Sequence, residues 1–311
     1  MNLEWDEILA SDTPWRRKLR AHQSRYRAEH LKVPPGEDKD GRSLGNLLPA
    51  EALDPNSGDP TLNFLGESSV WEYAQEVMAR VKEAKGTLEE DRLKRNLLSS
   101  MPLCFNLFGY LRQHLELVAG PFSELFGVQM ARVTRIECEW APPTADHLQD
   151  KTAFDAVVFF ETSAGGEGFI GIETKYSEPF GTQKVSRPER YEKALAELPL
   201  TDEFRSEVEG IVTNQVWRNL LLTTSLVRSG GFEVGKTAVV ALREDDAASK
   251  AVEDVNSRLQ EPMLQFCPME EVVKPFIEIP ETSEWANQFS ARYFPEGSDS
   301  LARPRISRRG M

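Results

Sequence analysis

Residues Gly168 to Glu178 read GFIGIETKYSE. Phe169, Ile170 and Ile172 are the aromatic and β-branched residues that a pleated, buried strand favours. Glu173, Thr174 and Lys175 then stand where the apolar run should continue. Just upstream, Phe154 to Glu161 (FDAVVFFE) is a second apolar run of strand length. Ser163-Ala164-Gly165-Gly166 lies between the two, so the connection reads as a hairpin. A three-residue loop with Gly165 as its left-handed residue sets Asp155 opposite Glu173. A two-residue loop at Gly165-Gly166 would pair Asp155 with Tyr176 and turn Glu173 to the other face.

The first register is preferred because it gives the charged end a chemistry. Opposed residues hold their Cβ atoms about 4.5 to 5.5 Å apart, where like charges destabilise. Two carboxylates so placed require a cation, and oxygen ligands select Mg²⁺, Mn²⁺ or Ca²⁺ over zinc or copper. Lys175, two residues beyond Glu173, projects from the same face. It can hold an attacking water or meet charge on a phosphate, an arrangement of use in phosphodiester hydrolysis. The competing reading is a solvated ion cluster at a surface hairpin end. Flanking strands that are apolar on both faces favour the functional site.

Outward from the hairpin, Met130 to Trp140 reads as a strand, and Ser69–Lys85 and Cys104–Val118 carry helical stripes. Downstream, PERYEKALAEL (Pro188 to Leu198) and Glu207–Val227 read as helices. Thr237–Arg243 follows as a strand, then a helix to about Leu259 and a short strand at Leu264–Cys267. The order predicts one mixed α/β domain with an N-terminal helical extension. Residues 1–68 are expected as a basic helix with a turn-rich connector, 69–295 as the main domain, and 296–311 as a basic disordered tail.

At 311 residues, with a formal net charge of −13, the chain resists indiscriminate polyanion binding. Any nucleic-acid contact must be local. Trp15 to Lys32 carries Arg16, Arg17 and Arg20 among its cations, and reads equally as a nucleic-acid patch or a basic solvated face. Three widely spaced cysteines give neither a disulfide framework nor a metal pair, in keeping with a cytoplasmic protein. No apolar run approaches the ~18 residues of a membrane-spanning helix. The four histidines are scattered, which leaves zinc and Ser-His-Asp chemistry without support.

Asp155 followed by Glu173-Thr174-Lys175 resembles the signature of the PD-(D/E)XK nuclease superfamily, with Phe154 in place of a proline that often precedes the acid. SSMPLCFNLFG (Ser99 to Gly109), KTAFD (Lys151 to Asp155), GIETKYSE (Gly171 to Glu178) and NQVWR (Asn214 to Arg218) resemble, in that order, a group of bacterial restriction-endonuclease-like proteins. The resemblance implies an αβββαβ core, a mixed central sheet flanked by helices. It implies Mg²⁺ or Mn²⁺ held by Asp155, Glu173 and the Thr174 carbonyl, with Lys175 as base or water-positioning group. It also implies a helix glutamine facing the site, which Gln215 matches, and Arg218 one turn along could reach a phosphate. Glu116, Glu137 and Glu139 compete for an additional acid, with Glu137 preferred.

The resulting expectation is a metal-dependent endonuclease acting on DNA, in restriction or phage defence, alone, as a homodimer or with a protein partner. The alternative is a non-catalytic module of the same fold that binds nucleic acid or protein. Gly230 to Thr237 (GGFEVGKT) satisfies the P-loop pattern, but a P-loop follows a strand and opens a helix. Here a helix precedes and a strand follows, so no nucleotide is expected there.

Overall fold

The structure is a computed structural model that describes residues 9–86, 88–143, 147–148, 151–181, 191–204 and 215–295. Its centre is a five-stranded mixed sheet of β1 (Met130–Trp140), β2 (Phe154–Thr162), β3 (Glu167–Thr174), β4 (Val234–Ala241) and β5 (Leu264–Pro268), in that spatial order. The first three strands form an antiparallel meander, and β4 and β5 add in parallel. The mixed sheet with helices on both faces is the restriction-endonuclease-like arrangement expected.

The hairpin has the three-residue loop. Thr162 N–H donates to the Gly166 carbonyl (2.8 Å), and Gly165 adopts φ +88°. Ala156 pairs with Ile172 and Val157 with Gly171, so the next residues in register are Asp155 and Glu173. Both faces of β3 are buried, which accounts for its continuous apolar run. On one face Ile170, Ile172, Val158 and Phe160 pack against α2 (Glu67–Glu83), α3 (Leu115–Phe126) and α6 (Pro280–Tyr293). On the other, Phe169, Val157 and Val239 meet α4 (Gln215–Arg228) and α5 (Asp246–Ser257). Each fully buried side chain of this kind contributes about 1.5–3 kcal/mol.

Several expected elements differ. The stripe from Cys104 to Val118 is not one helix: a short helix at Ser100–Cys104 passes into a π-helical turn at Phe105–Gly109, and α3 begins after a break at His114. Asn106 explains part of the irregular turn, since its side chain donates to the Asn63 carbonyl and the Tyr293 hydroxyl and accepts from Leu65 N–H. The α6 helix was not anticipated. Of the two helices expected after β3, residues 188–190 and 207–214 lie outside the described residues, and Glu192–Glu197 and α4 are helical. Residues 296–311, expected as a tail, also lie outside them.

The N-terminal helix α1 (Pro14–Tyr26) is capped by the Thr13 side chain, which accepts from Arg16 N–H, and begins with a proline at the first helical position. Leu19, Phe64 and Leu65 share the core cluster of Ile170 and Ile172, so packing continues across the expected boundary at residue 68. Arg20, expected as a nucleic-acid contact, is instead buried: its guanidinium grips Asp12 through two bonds (2.6 and 3.0 Å) and reaches Asn46. Burial next to a carboxylate leaves it no free edge for a phosphate. Arg16 lies 3.3 Å from the same Asp12, and Arg17 is exposed. Among the described residues, no helix is long and apolar enough to cross a membrane.

Candidate active site

Three carboxylates line up across three strands. Cys138 pairs with Ala156 and Trp140 with Phe154, which puts Glu139 level with Asp155, as Asp155 is level with Glu173. Each position has a local cause. Glu173 ends β3, where parallel pairing to Val239 fixes the backbone. Asp155 Oδ2 accepts from the Thr174 N–H (2.8 Å) and hydroxyl (2.9 Å), so the acid on β2 is locked to the strand that carries Glu173. Glu139 adopts φ +51°, a left-handed conformation costly for a residue with a Cβ.

Phe154, in the position of the frequent proline, lies over Gly171; a Cβ there would sit 2.4 Å from the ring. Glycine at 171 therefore lets the ring close the floor beneath the acids. Glu173 Oε1 accepts from Lys175 Nζ (2.6 Å), and Oε2 accepts from Asn219 (2.8 Å). Lys175 also donates to Gln215 Oε1 (3.3 Å). Gln215 and Asn219 are one turn apart on α4, so both reach the end of β3.

Burial and the neighbouring Asp155 charge push the Glu173 carboxyl up to about 7, against the pull of Lys175 and Asn219. Burial, Asp155 and Glu173 push Glu139 up to about 8. Burial alone would lower the Lys175 ammonium, but the Glu173 and Asp155 charges overcome it and leave its pKa raised. These directions describe crowded negative charge. The donor set fits a hard divalent ion, because it consists of carboxylate and carbonyl oxygens whose repulsion a cation would relieve. Among the described residues, no three Asp, Glu, His or Cys side chains gather closely enough to hold a metal ion alone. Asp155, Glu173 and the Thr174 carbonyl, with water, are the oxygens that could hold one.

The structure brings together Asp155, Glu173, Thr174, Lys175 and Gln215. It does not bring Glu137 to them: that carboxylate pairs with Arg80 (2.9 Å) and Arg135 (3.1 Å). Glu116 is exposed on α3, and Arg218 is half-buried on α4. Asn219 is the contact that the sequence left unassigned, although its spacing from Gln215 carried the signal. Tyr176 and Glu178 gain structural roles. The Tyr176 hydroxyl accepts from Gln23 of α1 (2.7 Å), and Glu178 pairs with Arg92 and accepts from Ser100 N–H (3.1 Å). At Gly230 to Thr237 the chain runs from the end of α4 through a turn with Gly230 at φ +79° into β4, the reverse of a P-loop.

A mixed sheet with an acid on β2 and E-x-K ending β3 defines a nuclease-type fold. The sequence profile of the PD-(D/E)XK nuclease superfamily matches residues 10–295, and the chain belongs to that superfamily. No curated protein and no solved structure matches it.

Proposed function

We propose that the protein is a Mg²⁺- or Mn²⁺-dependent nuclease that hydrolyses phosphodiester bonds, with DNA as substrate and restriction or phage defence as its setting. The observation that carries this reading is the contact set at the end of the hairpin, where Thr174 holds Asp155, and Lys175 bonds Glu173 and Gln215 of α4. Superfamily membership supports it. A divalent ion bound by Asp155, Glu173 and the Thr174 carbonyl would lower the pKa of water and polarise the scissile phosphate.

The side chains divide the remaining work. Lys175 stays cationic between Glu173 and Asp155, which suits it to orienting water and meeting charge on the phosphate. Gln215 and Asn219 hold Lys175 and Glu173 in place from α4. Asp155, fixed by Thr174, keeps one oxygen outside that bond. Glu139 replaces Glu137 as the additional acid, because it is level with Asp155 while Glu137 is consumed by two arginines. Arg17 and Arg218 remain candidates for phosphate contact. The free thiols of Cys104, Cys138 and Cys267 accord with a reducing, cytoplasmic setting.

Cleavage of single-stranded DNA, duplex DNA and RNA, with Mg²⁺ and with EDTA, tests the reading. Metal-dependent cutting that Glu173→Gln abolishes is expected. Cutting equally fast in the variant would overturn it.

A further inference from the structure

Where β1 meets the middle turns of α2, from Tyr73 to Arg80, lies a pocket of about 210 Å³. Arg80, Arg112 and Arg135 line it, together with Tyr73, Glu76 and Glu137. In a chain of net charge −13, three guanidinium groups in one pocket make a locally positive place.

Two of them are pre-oriented by aromatic rings. The Arg112 guanidinium lies 3.9 Å from the Tyr73 ring centre, and that of Arg135 lies 4.2 Å from the Phe159 ring centre. Stacking uses the face of a guanidinium and leaves its N–H edge open to an anion. Tyr73 is itself held, since its hydroxyl accepts from Cys138 N–H (2.8 Å). Arg80 is fixed from the other side, donating to Glu137 (2.9 Å) and to the Cys138 carbonyl (2.7 Å). That carbonyl belongs to the residue before Glu139, so the pocket adjoins the acid row. Glu137 serves both Arg80 and Arg135, while Arg112 has no ion-pair partner among the described residues.

We propose that this pocket seats a backbone phosphate of the bound nucleic-acid strand, next to the phosphodiester that is cut. The Arg112 fork, which no carboxylate occupies, and the charge that Arg80 and Arg135 share with Glu137 suit a tetrahedral phosphate, and the position keeps a strand alongside the acids. The inference rests on the nucleic-acid substrate proposed above.

The test is oligonucleotide binding by the full chain in EDTA, read by fluorescence anisotropy from about 50 to about 200 mM salt. Arg112→Ala should weaken binding about tenfold and reduce the salt slope by about 1, with the melting temperature unchanged. Arg112→Lys should restore the slope and only part of the affinity. Wild-type affinity and slope in both Arg112→Ala and the Arg112→Ala/Arg135→Ala double variant would overturn the proposal. So would inorganic phosphate that raises the melting temperature only when Arg112 is present, while oligonucleotide binding ignores Arg112; that result marks a free-anion site. A wild type that binds no oligonucleotide overturns it as well. A wild type that binds through Arg112 but cuts nothing with Mg²⁺ sinks the nuclease reading and leaves the pocket standing.

Discussion

Gly171 lies under the Phe154 ring because there is no room for a side chain between them. Gly171→Ala should therefore destabilise the fold by about 1–3 kcal/mol through overpacking, measured by denaturant unfolding. Phe154→Leu in the same chain should recover part of that loss; a neutral Gly171→Ala would refute the close contact. Glu173 carries a second prediction. Its folded pKa is raised above the ordinary 4.5, so the folded state holds a proton that the unfolded chain releases. The metal-free protein should keep this contribution to stability below about pH 4.5 and lose it as pH rises through about 7. Glu139 adds a loss of the same sign near pH 8. Melting curves in EDTA should show the decline, Glu173→Gln should flatten it, and Mg²⁺ should restore stability at the alkaline end. A melting temperature equally insensitive to pH in wild type and variant would contradict the burial argument.

The hairpin was legible because one left-handed glycine and strict alternation fix which residues face each other. The additional acid was not, because Glu137 and Glu139 have the same parity on β1 and alternation cannot separate them. Their level relative to Asp155 separates them, and that level depends on two register shifts in β1 and the positive φ of Glu139. Glu139→Gln is accordingly expected to slow cleavage, while Glu137→Ala should cost under about 1 kcal/mol of stability and keep a working acid row. The leucine stripe through His114 misled in another way: hydrophobic period survives a helix break, so Leu111 and Leu115 look continuous in sequence. Helix α1 was the least legible element, because its arginines read as surface charge while Arg20, and Arg27 just past its end, are buried. Gln23 of α1 donates to both Tyr176 and the Arg292 carbonyl. Gln23→Ala should cost about 1–3 kcal/mol by leaving buried polar groups unmet. A truncation that begins at residue 69 should fail to give a cooperative melt; a stable truncated protein would support the boundary expected from sequence.

Across the whole molecule, a strongly acidic chain carries an acid row at the end of its central hairpin and the neighbouring strand, with Glu173 buried, Asp155 and Glu139 half-buried, and arginines on adjacent elements. The fold supplies rigidity from two cores, one on each face of the sheet, so the charged ends of β2 and β3 are held by neighbours that cannot relax toward water. Repulsion of polyanions at long range makes binding depend on local cations, and oligonucleotide affinity should fall steeply with salt. This acid row, completed by Lys175, is proposed to cut phosphodiester bonds. Its most direct measurement is the single-turnover cleavage rate of a DNA panel with Mg²⁺, comparing wild type with Lys175→Ala. Metal-dependent cutting that falls about 10²–10³-fold in the variant is expected, the loss typical of removing one charge-stabilising donor. Equal rates in the two proteins, or no cutting of any substrate by wild type with either Mg²⁺ or Mn²⁺, would contradict it.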